Sequence, residues 1–477
     1  MLYALCFMLS TNLGEEWLYM SNSDLTTGSI FHHIKRIAIP SSIGFVFRTL
    51  YNVVDTFYAG QLGEDALAGL SMSFPVFFML IALSAGLGTG ATALLAIALG
   101  KKDKHEFHKL ILNAFAIGFS IFVLIMLSSS TVSRFLLQLI GGEGIALEHA
   151  ISYTNVIFWG SGFFILNQLI NGVLSSQGDT KSLRNVLIIG FFLNILLDPL
   201  LIFGWFGLPQ MGTSGIALAT IITEFTGSVY LLYRLSKSPM FKIDLLKKAK
   251  ISFSDCLSVL KQSIPASLNM MTIVLGSFII NYFVVKYGGQ IALAAYGVAF
   301  RIEQLALLPA FGINAATLAI VGQNYGAKNF KRIFETYRIA LLTGIAIMTL
   351  GIIIIYPFSR YLIGLFNSNE QVIAIGVQYL RIEIFTFYSY VILYISTSIL
   401  QGLKKPGFIV YIGIFRQAVL PILLFLYLGT VLEWGLLGVW WGIVIVNWSA
   451  VLITVTYTLY NLKQLTGNQC TLLTKHC

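Results

Sequence analysis

Charge is what this chain has least of. Only 10% of its 477 residues are Asp, Glu, Lys or Arg, against roughly 25% in a soluble globular domain. Much of its surface must therefore face lipid rather than water. Cysteine is scarce as well: Cys6, Cys256, Cys470 and Cys477, with no pair at CxxC spacing. That argues against a disulfide framework and against a thiolate metal site. Acidic residues are the smaller charged class, twenty against thirty basic, for a net charge of +10. The excess does not point to nucleic acid, because the Lys and Arg residues lie in short patches between apolar runs, where they set topology. Also missing are HExxH, a Walker motif and a GxSxG with suitable partners, so nothing reads as an enzyme or calls for a cofactor. The first 13 residues are apolar but lack a basic n-region and a clear cleavage site, unlike a signal peptide. Met20 opens a polar stretch and is a candidate start, which makes residues 1–33 an N-terminal tail.

What is present is length of apolar run. A spanning helix needs about 20 mainly apolar residues. Twelve segments qualify: 34–59, 66–99, 107–132, 146–175, 182–204, 212–235, 257–287, 292–324, 331–358, 371–401, 406–429 and 433–462. No short alternating segments of the barrel type are seen. The expected class is an all-α membrane protein with twelve transmembrane helices. Loops after even-numbered segments hold 17 Lys and Arg, whereas loops after odd-numbered ones hold only Arg134, Lys286 and Arg360. This bias places the even loops and both termini in the cytoplasm of a cell whose inner membrane holds the chain.

The sequence repeats itself. Pro40 opens IPSS and Pro265 opens IPAS; ALAGLS at 66–71 is echoed by ALAAYG at 292–297. Gln177, Gly178 and Lys181 match Gln401, Gly402 and Lys405. Two parallel six-helix lobes follow, 34–235 and 257–462, joined by a cytoplasmic linker at 236–256 and followed by a tail at 463–477. Halves facing each other across a cleft are an architecture for alternating access. Such a two-lobe chain is expected to work as a monomer.

PSSIGFVFRTLYNVVDTFYAGQLGEDALAGLS, GTGATALLAIALGKKD, SQGDTK and NILLDP resemble the multidrug and toxic compound extrusion (MATE) family, especially its DinF-like branch. The resemblance runs from about Ile34 to Leu462. It implies two pseudo-symmetric six-helix lobes around a V-shaped cavity. It also implies export of small organic, often cationic or amphipathic compounds, in exchange for H⁺ or Na⁺.

Carboxylates inside spans are costly and mark ion paths. Asp55 lies in the first span, seven residues or about two turns from Arg48, on one face. Arg48 is thus a candidate ion-pair partner. Asn194 and Asp198 share a face of the fifth span, and Pro199 frees the carbonyl of Ile195. Together they form an oxygen-rich niche for a proton or a hard cation. The resemblance makes Asp55 and Asp198 coupling residues. It adds Thr220 beside them, so that Asp55, Asn194, Asp198 and Thr220 would hold any Na⁺. It also brings Tyr51, Asn52 and Asn171 to the first-lobe cavity, with Arg48 and Glu224 as departures from the usual pattern.

In the second lobe Glu303 and Glu383 are a candidate ion site, near Arg301, Arg381 and Arg416 in sequence. Some family members have carboxylates in the seventh and tenth helices, but the seventh span here has none. Pro40, fifteen residues before Asp55, is either a hinge or a first-turn proline. The rival reading is a lipid-precursor flippase, which would use those arginines and Arg48 to bind pyrophosphate.

Overall fold

The structure, a computed structural model, describes residues 24–466. Expectations for residues 1–23, for three of the four cysteines and for the tail beyond Thr466 lie outside them. Cys256 is free. Among the described residues all regular structure is helical.

The helices are α1 (Ile30–Gln61), α2 (Glu64–Gly100), α3 (Lys104–Leu139), α4 (Gly144–Trp159), α5 (Ser161–Ser176), α6 (Lys181–Phe203) and α7 (Thr213–Ser236) in the first half. A short α8 (Ile243–Lys248) lies in the linker. Then come α9 (Phe253–Gly326), α10 (Phe330–Gly364), α11 (Glu370–Gly402), α12 (Gly407–Ile414), α13 (Leu420–Leu426) and α14 (Gly435–Thr466). Ten described helices are long and apolar enough to cross a bilayer, and the bent pair α4–α5 makes eleven. The twelfth is inside α9. Its 74 residues would extend about 110 Å, against a hydrocarbon core of about 30 Å. The chain turns at Gly289, whose φ of 68° and ψ of −165° suit glycine alone. The seventh and eighth segments are therefore one helical element with a glycine corner.

Three other segments differ from their sequence reading. The fourth bends by 48° at Gly160, where a Cβ would collide with Ile221 of α7. Close packing on that helix explains both the glycine and the break. The eleventh is interrupted by π turns at Phe415–Val419 and Tyr427–Val431. The first begins at Ile30, four residues early, because Ser29 caps it by accepting from the backbone of His32. Pro40 is consequently inside the helix and not in its first turn. Beside it the Ile37 carbonyl accepts two hydroxyls, from Ser41 at 2.9 Å and from Thr180 at 2.8 Å.

Residues 24–29, expected as tail, are tied to the second lobe. Leu25 is fully buried. Its N–H donates to Gln323 at 2.9 Å, and Asn324 donates to its carbonyl at 3.1 Å. Arg332 donates to the carbonyls of Thr27 and Gly28, both at 2.8 Å. The linker is held as well. Lys242 N–H donates to His108 at 2.9 Å, and Asn113 accepts from Ser252 N–H at 2.9 Å.

The lobes meet through small residues. A Cβ at Gly86 or Gly90 of α2 would strike Ser267 or Ser263 of α9, and one at Gly100 would strike the Gln323 backbone. In the other direction, Gly326 lies on Ile97 and Gly312 on Ala38 and Ser42. Small side chains let backbones approach this closely without water between them. Each of these contacts lies in the half of the spans that adjoins the basic loops 101–109 and 326–332.

Candidate functional site

Asp55, Tyr51 and Arg48 occupy one stripe of α1, spaced four and seven residues apart. The stripe faces α6 and α7. Asp55 is 7% exposed, and Asn194 and Asp198 of α6 are fully buried. The Asp55 carboxyl group lies beside both of them. Asn194 in turn donates to Asp198 at 3.2 Å. A carboxylate has no hydrogen to give, so two carboxyl groups touching in a buried niche require a shared proton or a cation between them. One oxygen each of Asp55, Asn194 and Asp198 remains buried without a protein partner. Those three oxygens are the free coordination capacity of the niche.

Tyr51 lies near Asp55 and Glu224, and its hydroxyl is buried without a protein partner. Thr220 is buried and donates to the Ile216 carbonyl of its own helix at 3.1 Å. Its hydrogen is thus spent on its own helix. Tyr153 of α4, 3% exposed, closes the niche near both aspartates. Sequence reasoning missed it, because a tyrosine in an apolar run carries no signal of depth.

One sequence expectation changes. Arg48 is not the partner of Asp55. It faces Glu224 of α7 and Tyr51, because seven residues separate it from Asp55 by about 10 Å along the axis. Asn52, four residues from Arg48 and three from Asp55, is on the same face and exposed, with its carbonyl engaged by Thr56. Asn171 is half-buried and accepts from Ser175 at 3.1 Å. The amide that reaches the site is one turn away. Asn167 donates to the Glu224 carboxylate at 2.6 Å and to its carbonyl at 2.9 Å, and accepts from Ser228 at 2.8 Å.

The second lobe holds its own acidic pair. Glu303 of α9 is 1% exposed and Glu383 of α11 fully buried. Tyr379 donates to Glu303 at 2.7 Å, and Tyr390 donates to Glu383 at 3.3 Å. Thr386 also donates to Glu383. Tyr390 reaches Glu303 as well and so lies between the two. Tyr379 packs edge-on against Trp440 at 4.8 Å, which seals the pair from one side. Arg301 and Arg381, two residues from these glutamates, are exposed. Residues at i and i+2 point to opposite sides of a helix, so sequence nearness gave no pairing. Arg381 instead lies over the Tyr356 ring at 5.6 Å. Only Arg416 joins the cluster. Its π turn carries it over Tyr390 at 5.7 Å, and it donates to Asn447 at 3.0 Å.

No group of three or more His, Cys, Asp or Glu suited to a transition metal occurs among the described residues. Both acidic sites offer oxygen only, which suits protons and hard cations.

Known proteins share this fold. The MatE family model matches twice, over residues 40–200 and 265–426, and the two matches begin at the repeated prolines Pro40 and Pro265. A probable multidrug resistance protein YoeA of Bacillus subtilis is 28% identical, covering 86% of this chain and 90% of the relative. A probable multidrug resistance protein NorM of Thermotoga maritima is 28% identical over 85% of this chain and 87% of that protein. Among solved structures, the outward-facing conformation of a multidrug resistance MATE family transporter of the MOP superfamily superposes with a TM-score of 0.87. It is 27% identical, with 93% of this chain and 98% of that one covered. A MOP superfamily transporter from Pyrococcus furiosus, described as having a binding pocket of reversed polarity, gives 0.86 at 27% identity over 93% and 98%. The two-lobe fold and the doubled family match have one reading: the chain belongs to the MatE family of multi-pass membrane transporters.

Proposed function

We propose that this chain is a secondary antiporter that exports organic compounds in exchange for H⁺ or Na⁺, working as a monomer in the inner membrane with both termini cytoplasmic. The observation that carries this reading is the contact between Asp55 and Asp198 in a niche that water barely reaches. A proton or Na⁺ bound there removes charge from the first lobe, and a cationic group in the cavity loses its counter-charge. Substrate then leaves on the open side. Once the ion is released inward, the carboxylates attract the next substrate. One charge crossing 100 mV supplies about 2.3 kcal/mol, roughly a 50-fold gradient. Na⁺ would be held by Asp55, Asn194 and Asp198, with Thr220 supplying a lone pair. Glu303 and Glu383 are a second ion site, built from the eighth and tenth spans.

The packing of glycines on the basic-loop side supports a resting state closed toward the cytoplasm. Pro40, now inside α1, is the hinge through which ion binding at Asp55 would bend the helix. The flippase reading loses ground at two of its four arginines, which meet protein groups: Arg416 meets Asn447 and Tyr390, and Arg381 meets Tyr356.

The test is efflux of a fluorescent organic cation from proteoliposomes under a pH gradient and under a Na⁺ gradient, imposed separately. The reading predicts uptake or release driven by one of them. Correctly folded protein that responds to neither would contradict it.

A further inference from the structure

A guanidinium halfway along a membrane span needs a reason to be there. Arg48 is half-buried, and among the described residues it makes no hydrogen bond and no direct ion pair. It offers five donors. Its charge faces the carboxylate of Glu224, which stands on another helix farther off than ion-pair distance. Glu224 cannot swing freely to meet it. Asn167, 5% exposed, grips one of its oxygens at 2.6 Å and is itself fixed by Ser228. Helices α1 and α7 thus carry two opposite charges held apart, about one to two turns nearer the basic loops than Asp55 and Asp198.

From this geometry we infer that Arg48 and Glu224 select amphoteric substrates, those with a cationic group and an anionic group several ångströms apart. The inference rests on the export reading above and deepens it. A simple cation would meet Glu224 but also the repulsion of Arg48. A simple anion would meet the reverse. A molecule with both poles satisfies both walls and leaves no buried charge unpaired, which is the arrangement with the smallest desolvation cost. Asn167 is a positioning residue that keeps the carboxylate from collapsing onto the guanidinium.

The test uses a matched pair of dyes, a rhodamine with a free carboxylate and its methyl ester, which keeps the cation and loses the anion. Binding to the purified full-length protein in detergent is followed by fluorescence polarisation. The wild type is expected to bind the free acid about tenfold more tightly, the effect of one favourable charged contact of about 1.4 kcal/mol. In Arg48→Gln that ratio falls to about one and the ester binds more tightly than to the wild type. Arg48→Lys, which keeps the charge, retains the preference. Glu224→Gln weakens both dyes. Equal binding of both dyes by the wild type, binding of neither, or an unchanged ratio in Arg48→Gln overturns the inference. So does tighter binding of a polyprenyl phosphate than of either dye. Binding in detergent needs no gradient. Intact discrimination with no gradient-driven transport would therefore sink only the antiport reading, and the converse only this one.

Discussion

At the scale of single residues, the acidic niche was legible with Tyr51 and Thr220, and the residues that hold Glu224 and close the niche, Asn167 and Tyr153, were not. Asp55 and Asp198 stand out because a carboxylate in an apolar run has few structural excuses, and Asn194 follows from spacing alone. The partner of Arg48 was hidden. Helical spacing gives the face a residue occupies, but the helix across from it is a tertiary fact, and Glu224 lies 176 positions away in sequence. The same gap concealed Asn167 in favour of Asn171. If Asn167 holds Glu224 as described, Asn167→Ala lowers stability by roughly 1 kcal/mol, seen as a lower Tm in detergent. It also weakens binding of cationic dye. A variant with wild-type Tm and wild-type binding would count against that role. In the second lobe, Glu303→Gln and Glu383→Gln test whether the buried pair carries ions. Each is expected to change the ion stoichiometry of transport while leaving dye binding at the first-lobe cavity intact. Unchanged stoichiometry in both would make the pair structural.

At the scale of elements, the sequence places the spans well and their internal breaks poorly. Run length finds a helix, because lipid leaves the backbone no other way to satisfy its hydrogen bonds. It does not find the corner at Gly289, the bend at Gly160 or the π turns of the eleventh span, since each depends on what packs against it. Gly160 shows the point: the side chain of Ile221 fills the space a Cβ would need. Gly160→Ala should cost about 1–3 kcal/mol through overpacking, read as a loss of monodisperse protein or a drop in Tm. Tolerance of alanine there would mean that the α4–α5 break is not set by α7. The interlobe glycines make a different kind of element. Gly100→Ala puts a methyl group against the Gln323 backbone, which cannot rotate away. It should push α2 from α9 and raise the cysteine reactivity of a probe at Ser263 in everted vesicles. No increase would show that the basic-loop side is held closed by something else.

For the whole molecule, the repeat read from IPSS and IPAS reappears as two lobes whose family matches start at those two prolines. What the repeat could not foretell is that the lobes do not use equivalent positions for their acids. The first lobe takes its pair from its first and fifth spans. The second takes Glu303 and Glu383 from spans that correspond to the second and fourth. Alternating access requires the glycine-lined seam on the basic-loop side to open. A cleavable bifunctional thiol reagent joining Lys101→Cys to Ala327→Cys, exposed positions beside the Gly326–Ile97 contact, should therefore stop transport and restore it on reduction. Transport that continues under verified cross-linking would rule out opening at that seam.

The central claim is that substrate and ion compete through the Asp55–Asp198 niche. The most direct measurement is ion release on substrate binding, with purified protein in weakly buffered detergent solution, followed by a pH dye and repeated with radioactive Na⁺. The account predicts that adding substrate to the wild type releases H⁺ or Na⁺. Asp55→Asn and Asp198→Asn should bind substrate but release neither. Equal release from the variants, or substrate binding to the wild type with no release of either ion, would contradict it.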